Sequence, residues 1–521
     1  MNDQSDPVLT RHPLPTAPTA PAAAPVPPAS GAAVTEPAAA TAPAAAPAGS
    51  GQLRPNAVGA HHLVFFVVSS AAPLTGMAGF IGLAFILGGI VVPSGYLIAG
   101  ITYAVFAVGF TAMSRHMRNS GAFYAYITAG FGRTAGGGAA VLAYVAYALG
   151  QVGFAAAAGV FTSLMLDAVA GLTVSWQACA LVSGLVIAAL SYSKVTIGAR
   201  VLAVLLTLEI GILFVMAVFV LAQGGHEGLS FASFNPVNLV TPSIGVLFVI
   251  TFIMFIGFEQ TAIYSEEARD PRRTVPRATY WSIGVLTVTF TFISWVILMA
   301  AGPSRLESLL AGDPSSLMFN LNDEFVGEAM TAVMQILIVT SFFASVLAFH
   351  NAGSRYLFSL GREGILPAAL ARTGGRTKTP SVAGIVHTVL VIGLLAGFGL
   401  TSLDPYTQII AWTNAPTLVG VIALEIATSL AVIRFLGRSG TGESRWQRLI
   451  APALATVLLS GALGLILWQL GLLTGLGYAG NALVLSPLLV GFVAGAVRAR
   501  RVGRDGGVGD LIPAQRTGSG S

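Results

Sequence analysis

Long runs without a single aspartate, glutamate, lysine or arginine recur along this chain, at residues 55–114, 134–166, 168–193, 228–258, 329–354 and 449–497. A helix needs about 20 predominantly apolar residues to cross the hydrocarbon core of a bilayer. Each run is long enough for one crossing, and the first and last are long enough for two. Only 9% of the 521 residues are charged, against about 25% in soluble domains. The class is therefore an all-α polytopic membrane protein. The net charge of +5 reads as loop charge rather than as a surface for nucleic acid. The single cysteine, Cys179, lies in an apolar run, which excludes an internal disulfide and reads as small-residue packing.

Twelve transmembrane helices are expected, at about 58–87, 95–113, 135–166, 174–192, 196–223, 242–265, 280–301, 329–360, 382–403, 406–435, 449–473 and 482–497. Counted from a cytoplasmic N-terminus, the basic residues collect in the inside loops. These loops hold Arg115, Arg118 and Arg133, then Lys194 and Arg200, then Arg269, Arg272, Arg273 and Arg277. Arg355, Arg362, Arg372, Arg376 and Lys378 follow, then Arg434, Arg438, Arg445 and Arg448. Only Arg305 falls outside, in a loop with Glu307, Asp313, Asp323 and Glu324. One helix more or fewer would scramble this segregation. The expectation is a multi-pass protein of the plasma (inner) membrane with both termini cytoplasmic. Residues 1–52, rich in Ala and Pro, read as a disordered tail and not as a signal peptide. Residues 53–500 form the twelve-helix domain, and 501–521 a second disordered tail.

Two of the crossings are irregular. The first contains Ala71-Ala72-Pro73-Leu74-Thr75-Gly76, where Pro73 removes a backbone donor and Gly76 loosens the chain. The sixth lies within residues 251–278, TFIMFIGFEQTAIYSEEARDPRRTVPRA, and carries Gly257 and Glu259 at mid-depth. A carboxylate near the bilayer centre costs about 2.5–3.5 kcal/mol on insertion scales, so it is a functional residue by default. Two interrupted helices at matching positions, five helices apart, point to a midplane transport site between inverted repeats. Where the first helix resumes near Thr75 and Gly76, unpaired N–H groups and the positive dipole end suit a carboxylate. Where the sixth stops near Phe255, Ile256 and Gly257, unpaired carbonyls suit an ammonium group. Together they fit the two ends of an α-amino acid, with plain kinks in packed helices as the alternative. The expected lining is Pro73, Leu74, Thr75, Gly76 and Met77 with Ile253, Phe255, Ile256, Gly257 and Phe258.

The run FIGFEQTAIYSEEARDPRRTVPRA resembles the sixth-helix signature of the amino acid/polyamine/organocation (APC) permease superfamily. The resemblance extends to Asn119-Ser120-Gly121-Ala122-Phe123-Tyr124-Ala125-Tyr126 and Asn351-Ala352-Gly353-Ser354-Arg355. It continues through Gly364-Ile365-Leu366-Pro367 and Thr428-Ser429-Leu430-Ala431-Val432-Ile433-Arg434, and covers about residues 58–497. It implies a LeuT-type five-plus-five inverted repeat with broken helices 1 and 6, plus two extra helices. It also implies amino-acid or amine transport across the lipid bilayer by alternating access. Members typically carry Gly-Ser-Gly in the first break, where the register here places Leu74-Thr75-Gly76 and so narrows the pocket. Ile253 falls where some members carry Trp, and Phe252, Phe255 and Phe258 remain as gate or pocket aromatics.

Glu209 is a second intramembrane acid, at the fifth-helix position where some proton-coupled relatives carry a lysine. A carboxylate there inverts the charge but still offers a proton site; a hydrogen-bonded helix contact is the alternative. Glu259 reads as a gate or proton residue beside the ligand, and Glu425 as paired with a neighbouring helix. Ser341 and Ser345 share one helix face. In sodium-coupled relatives eighth-helix hydroxyls help ligate the ion, while close helix packing is the ordinary role for serine. Asn351 and His350 read as inner-pathway lining. The charged segment Glu266–Arg273 reads as a solvated loop, with a latch as the second reading. The sequence thus predicts a secondary transporter taking up a neutral or hydrophobic amino acid, with H+ coupling and Na+ as the alternative ion. Exchange is the close runner-up, and a membrane sensor or channel the different class. A monomer or homodimer with no cofactor or metal is expected. No clustered nucleophile or acid/base set suggests an enzyme.

Overall fold

The computed structural model describes residues 59–117, 121–191, 195–240, 243–266, 268–374, 379–438 and 442–504. The tail 1–52, most of 501–521, Asn119, Ser120 and Glu267 lie outside these residues. The elements are helices: α1 Ala60–Ala71, α2 Ile81–Gly88, α3 Val92–Ser114, α4 Phe123–Phe131, α5 Arg133–Ala170, α6 Trp176–Ser191 and α7 Val195–Ala222. Then come α8 Ile244–Ile253, α9 Gln260–Ile263, α10 Pro271–Ala301, α11 Leu306–Leu310, α12 Leu317–Phe325 and α13 Glu328–Arg362. The last four are α14 Ser381–Gly399, α15 Ile410–Arg438, α16 Ala451–Thr474 and α17 Tyr478–Arg504. Each expected crossing has a helix at its position. Among the described residues, however, nine stretches are long and apolar enough to cross a membrane, not twelve. The other three positions fall on the shorter pieces Leu63–Gly79, Trp176–Ser191 and Ile244–Ile253.

Burial is inverted relative to a soluble protein, as lipid solvation requires. Val218 and Val490 are 64% and 65% exposed, whereas Glu209, Glu259 and Glu425 are at most 2% exposed. The central helix α5 is rich in Ala and Gly, which lets its neighbours approach closely. A β-carbon on Gly150 or Gly153 would sit 2.9 or 2.3 Å from Thr417 or Thr413 of α15.

Three features correct the sequence reading. α10 begins at Pro271 instead of near residue 280, with Asp270 at its N-cap position and Pro271 at the first position, where its missing N–H costs nothing. The last three residues of the charged segment, Pro271–Arg273, are therefore helical, and Arg273 pairs locally with Asp270 at 3.9 Å. α17 continues past residue 500 to Arg504. Short helices α4, α11 and α12 had no counterpart in the span count. Arg305, the exception to the charge pattern, pairs with Glu324 at 3.0 Å and donates to the Ala300 and Ala301 carbonyls that end α10.

Candidate functional site

The helix begun by α1 stops where Ala72 takes a left-handed conformation with φ 43°. A non-glycine residue there stores roughly 1–3 kcal/mol of strain and persists only when its surroundings enforce it. Thr75–Gly79 then form a π-helical turn, Phe80 departs from it at φ −126°, and α-helix resumes only at Ile81. The sixth-position helix stops at Ile253, and turns carry the chain through Met254–Glu259 to the four-residue α9. Gly257 stands at φ 127°, and a β-carbon on it would lie 2.2 Å from Ser70 Oγ. Both its conformation and its closeness to α1 demand glycine. A β-carbon on Gly76 would lie 3.0 Å from Met254 Sδ. The two interruptions pack directly against each other.

At the first interruption, Thr75 donates to Ser341 Oγ from its N–H at 3.2 Å and from its hydroxyl at 3.0 Å. Ser341 in turn donates to Glu209 Oε2 at 2.7 Å. The Gly76 N–H donates to the Ala72 carbonyl at 3.1 Å. The amides expected to be unpaired at Thr75 and Gly76 are therefore engaged. Ser341 claims the Thr75 N–H, and the Ala72 carbonyl claims that of Gly76. Ser345 donates to the Ser70 carbonyl at 3.2 Å, and Tyr406 to the Gly79 carbonyl at 2.8 Å. Pro73, Leu74 and Met77 flank these contacts, and Leu74 and Met77 are fully buried.

At the second interruption, Phe255, Ile256 and Gln260 donate to the carbonyls of Phe252, Ile253 and Gly257 at 3.1, 3.0 and 3.0 Å. No donor among the described residues reaches the Met254 or Ile256 carbonyl. Glu259 braces its own turn: it accepts the Gly257 N–H at 2.8 Å and the Tyr147 hydroxyl. Phe252, Phe255 and Phe258 all pack on Tyr103, with ring centroids 5.4, 5.4 and 5.0 Å away. They form an aromatic core against α3. Ile253 instead lines a cavity of about 230 Å³ with Phe80, Leu87, Ile250, Tyr406 and Asn414.

Residues 62–469 match the amino acid permease family, which is most of the chain. The chain belongs to the amino acid permease family. This permease is 25% identical to the branched-chain amino acid permease BcaP of Lactococcus lactis over 34% of its own length and 35% of that protein. It is 28% identical to mouse (Mus musculus) Asc-type amino acid transporter 1 over 44% of its own length and 41% of the relative. The histidine permease HisP of Lactococcus lactis is 29% identical over 41% of this chain and 46% of its own. The matched stretches thus span less than half of each relative. These relatives are transporters, not enzymes. A solved structure described as the substrate-bound outward-open state of a Na+-coupled sialic acid symporter aligns over 80% of this chain and 90% of its own. Its TM-score is 0.49 at 13% identity.

Elsewhere in the permease, His350 joins a buried polar cluster. It is buried with Gln151, His387 and Tyr144 between α5, α13 and α14. Gln151 bonds to His387 at 2.6 Å and lies 3.4 Å from His350, and Tyr144 lies 3.3 Å from His387. Asn351 is half-buried, and no contact among the described residues joins its side chain to either interruption. Glu425, expected to pair with a neighbouring helix, is fully buried and both its oxygens lack a partner among the described residues. Sequence reasoning missed Tyr103, Tyr147, Gln151 and Tyr406. A signal for two of them existed: Tyr144, Tyr147 and Gln151 recur at helical spacing in an Ala/Gly-rich run.

Proposed function

We propose that this permease is a secondary active amino-acid carrier that works by alternating access, with proton-coupled uptake of a neutral or hydrophobic amino acid. The observation that carries the reading is the direct packing of the two helix interruptions, Gly257 against Ser70 and Gly76 against Met254. Unclaimed carbonyls at Met254 and Ile256 supply the ammonium half of the site. The carboxylate half lies at Thr75 and Gly76, where the Thr75 N–H is now held by Ser341, itself bonded to Glu209. A cargo carboxylate competes for the Thr75 N–H, and with Glu209 for the Ser341 hydroxyl. A proton on Glu209 removes the rival charge, which ties cargo binding to proton binding. The twelve-span, five-plus-five arrangement, with both ends cytoplasmic in the plasma membrane, is part of the same reading. So is function as a monomer or homodimer.

Counterflow of an amino-acid panel in proteoliposomes tests the carrier, with pH and sodium gradients imposed in turn. Saturable counterflow accelerated by a pH gradient supports the reading. Flux that never saturates points to a channel, and acceleration by sodium alone reassigns the ion to the Ser341 and Ser345 region. Glu209→Gln should keep counterflow and lose pH-driven accumulation. Accumulation that persists in that variant removes Glu209 from the coupling role.

A further inference from the structure

The cavity of about 230 Å³ beside Ile253 ends in an amide whose oxygen has no partner among the described residues. Its walls come from α2, α8, α15 and the end of α16. Phe80, Leu87, Ile250, Ile253, Ala411 and Leu473 make them largely apolar, and no charged side chain is among the described lining residues. At one end Ile86, Thr407 and Leu472 are exposed, where α2 and α16 finish and the turn into α15 begins. That end is the mouth. Asn414 lines the space about two helical turns further along α15. It packs on α5 there, since a β-carbon on Gly153 would lie 2.8 Å from its Oδ1.

Asn414 is only 5% exposed, and its Oδ1 accepts no hydrogen bond from any described residue. A buried acceptor left so forgoes the bonds that water would supply. A resident water needs about two to four polar partners. The two other polar lining groups already donate elsewhere, Tyr406 to the Gly79 carbonyl at 2.8 Å and Thr407 to Asp404 at 2.7 Å. One isolated amide above apolar walls suits a single head group on an apolar body. A zwitterionic amino acid would bring two charges to walls that answer neither, so this is not the cargo site. Size narrows the class further. Scaled from a cavity of about 150 Å³ that takes benzene, the space holds roughly nine non-hydrogen atoms. Drug-sized ligands need about 300 Å³ or more.

We propose that this cavity binds a small neutral amphiphile, an alkyl body of about eight carbons with one hydroxyl that donates to Asn414 Oδ1. The walls join α2, which follows the first interruption, and α8, which precedes the second, to α15 and α16. An occupant therefore braces the pieces that a carrier must move. The binding does not depend on the carrier reading above; the brace does.

Binding of ω-fluoro-octanol to the full chain in phosphatidylcholine liposomes, followed by fluorine NMR, tests the site. The wild type should give a saturable bound signal that n-octanol displaces. Ala411→Phe, which fills the space from its wall, should abolish that signal, and Asn414→Leu should weaken binding about tenfold. A signal that never saturates, or that persists unchanged in Ala411→Phe, marks partition into the bilayer only and overturns the proposal. If these variants do not fold, the wild type still decides. There n-octyl fluoride, which lacks the hydroxyl, should displace the probe about tenfold more weakly than n-octanol, and equal displacement overturns the proposal. Counterflow of the amino-acid panel should slow as the site fills, and Asn414→Leu should need about tenfold more n-octanol for the same slowing. Occupancy without slowing overturns the brace. A chain with no counterflow refutes the carrier reading, while the fluorine signal still decides the site.

Discussion

The two helix interruptions meet face to face, yet they are held by different forces. At the first, the Thr75 N–H is claimed by Ser341 of α13, itself bonded to Glu209 of α7, and the Gly76 N–H by the Ala72 carbonyl. At the second, the turn is fixed by the fit of Gly257 against Ser70 and by Glu259 folding back on its own backbone. Two carbonyls there remain unclaimed. The first interruption is thus tied to its neighbours by polar bonds, and the second is shaped by steric fit. Deleting a hydroxyl should injure the first, and adding a methyl should injure the second.

The largest effect is expected from Gly257→Ala. Its new carbon would meet Ser70 Oγ at 2.2 Å, at a φ of 127°. Strain of roughly 1–3 kcal/mol at the site should lower counterflow at least about tenfold. Ser70→Ala in the same chain should recover part of that loss, since it removes the clash but not the conformational strain. Normal transport by Gly257→Ala would erase the steric half of the comparison. Next comes Ser341→Ala, which strips Glu209 of a donor and Thr75 of its acceptor. Leaving buried polar groups unsatisfied costs about 1–3 kcal/mol each, read as a lower melting temperature and weakened counterflow. Ser345→Ala removes one bond to the Ser70 carbonyl and should cost about 1 kcal/mol. A Ser345→Ala defect larger than that of Ser341→Ala would reverse the assignment of the polar tie to Glu209.

The smallest effect lies away from both interruptions and serves as their control. Glu363 follows α13 and accepts the Tyr124 hydroxyl of α4 at 2.6 Å. Burial pushes its carboxyl above the ordinary range, against the opposing pull of the Tyr124 bond and of Arg362 and Arg133. An acid raised in the folded state contributes stability below its unfolded pKa and loses it as pH rises through the folded value. The window therefore opens just above the usual glutamate range. Melting temperature should fall slightly across it, and Glu363→Gln should flatten that fall while keeping the Tyr124 bond. A flattening as large as the Ser341→Ala effect would move the control into the main comparison.

How much of this could be read from residues alone follows the range of the interaction. Apolar runs place a helix at each expected position, nine of them long and apolar enough to cross a membrane among the described residues, because lipid solvation acts on each segment separately. Pro73 and Gly257 mark the interruptions because their backbone limits are local. The partners were hidden: Ser341 and Glu209 are 132 positions apart, and Tyr406 reaches Gly79 across 327. Such bonds depend on which helix faces meet, and in lipid the hydropathy pattern is nearly uniform around a helix. The same uniformity hid that Phe252, Phe255 and Phe258 all pack around Tyr103. It also concealed that the amides of the first interruption were already taken.

One helix reaches both regions. Just before α15 begins, Tyr406 clasps the Gly79 carbonyl, and in its second half lies the fully buried Glu425. Pro416 lies inside the helix between them. A proline there deletes an internal backbone bond and weakens the rod at that level. α15 is therefore a jointed lever rather than a stiff one: its Tyr406 end can tilt while its Glu425 end stays seated. On the carrier reading proposed above, its two ends can then yield in sequence.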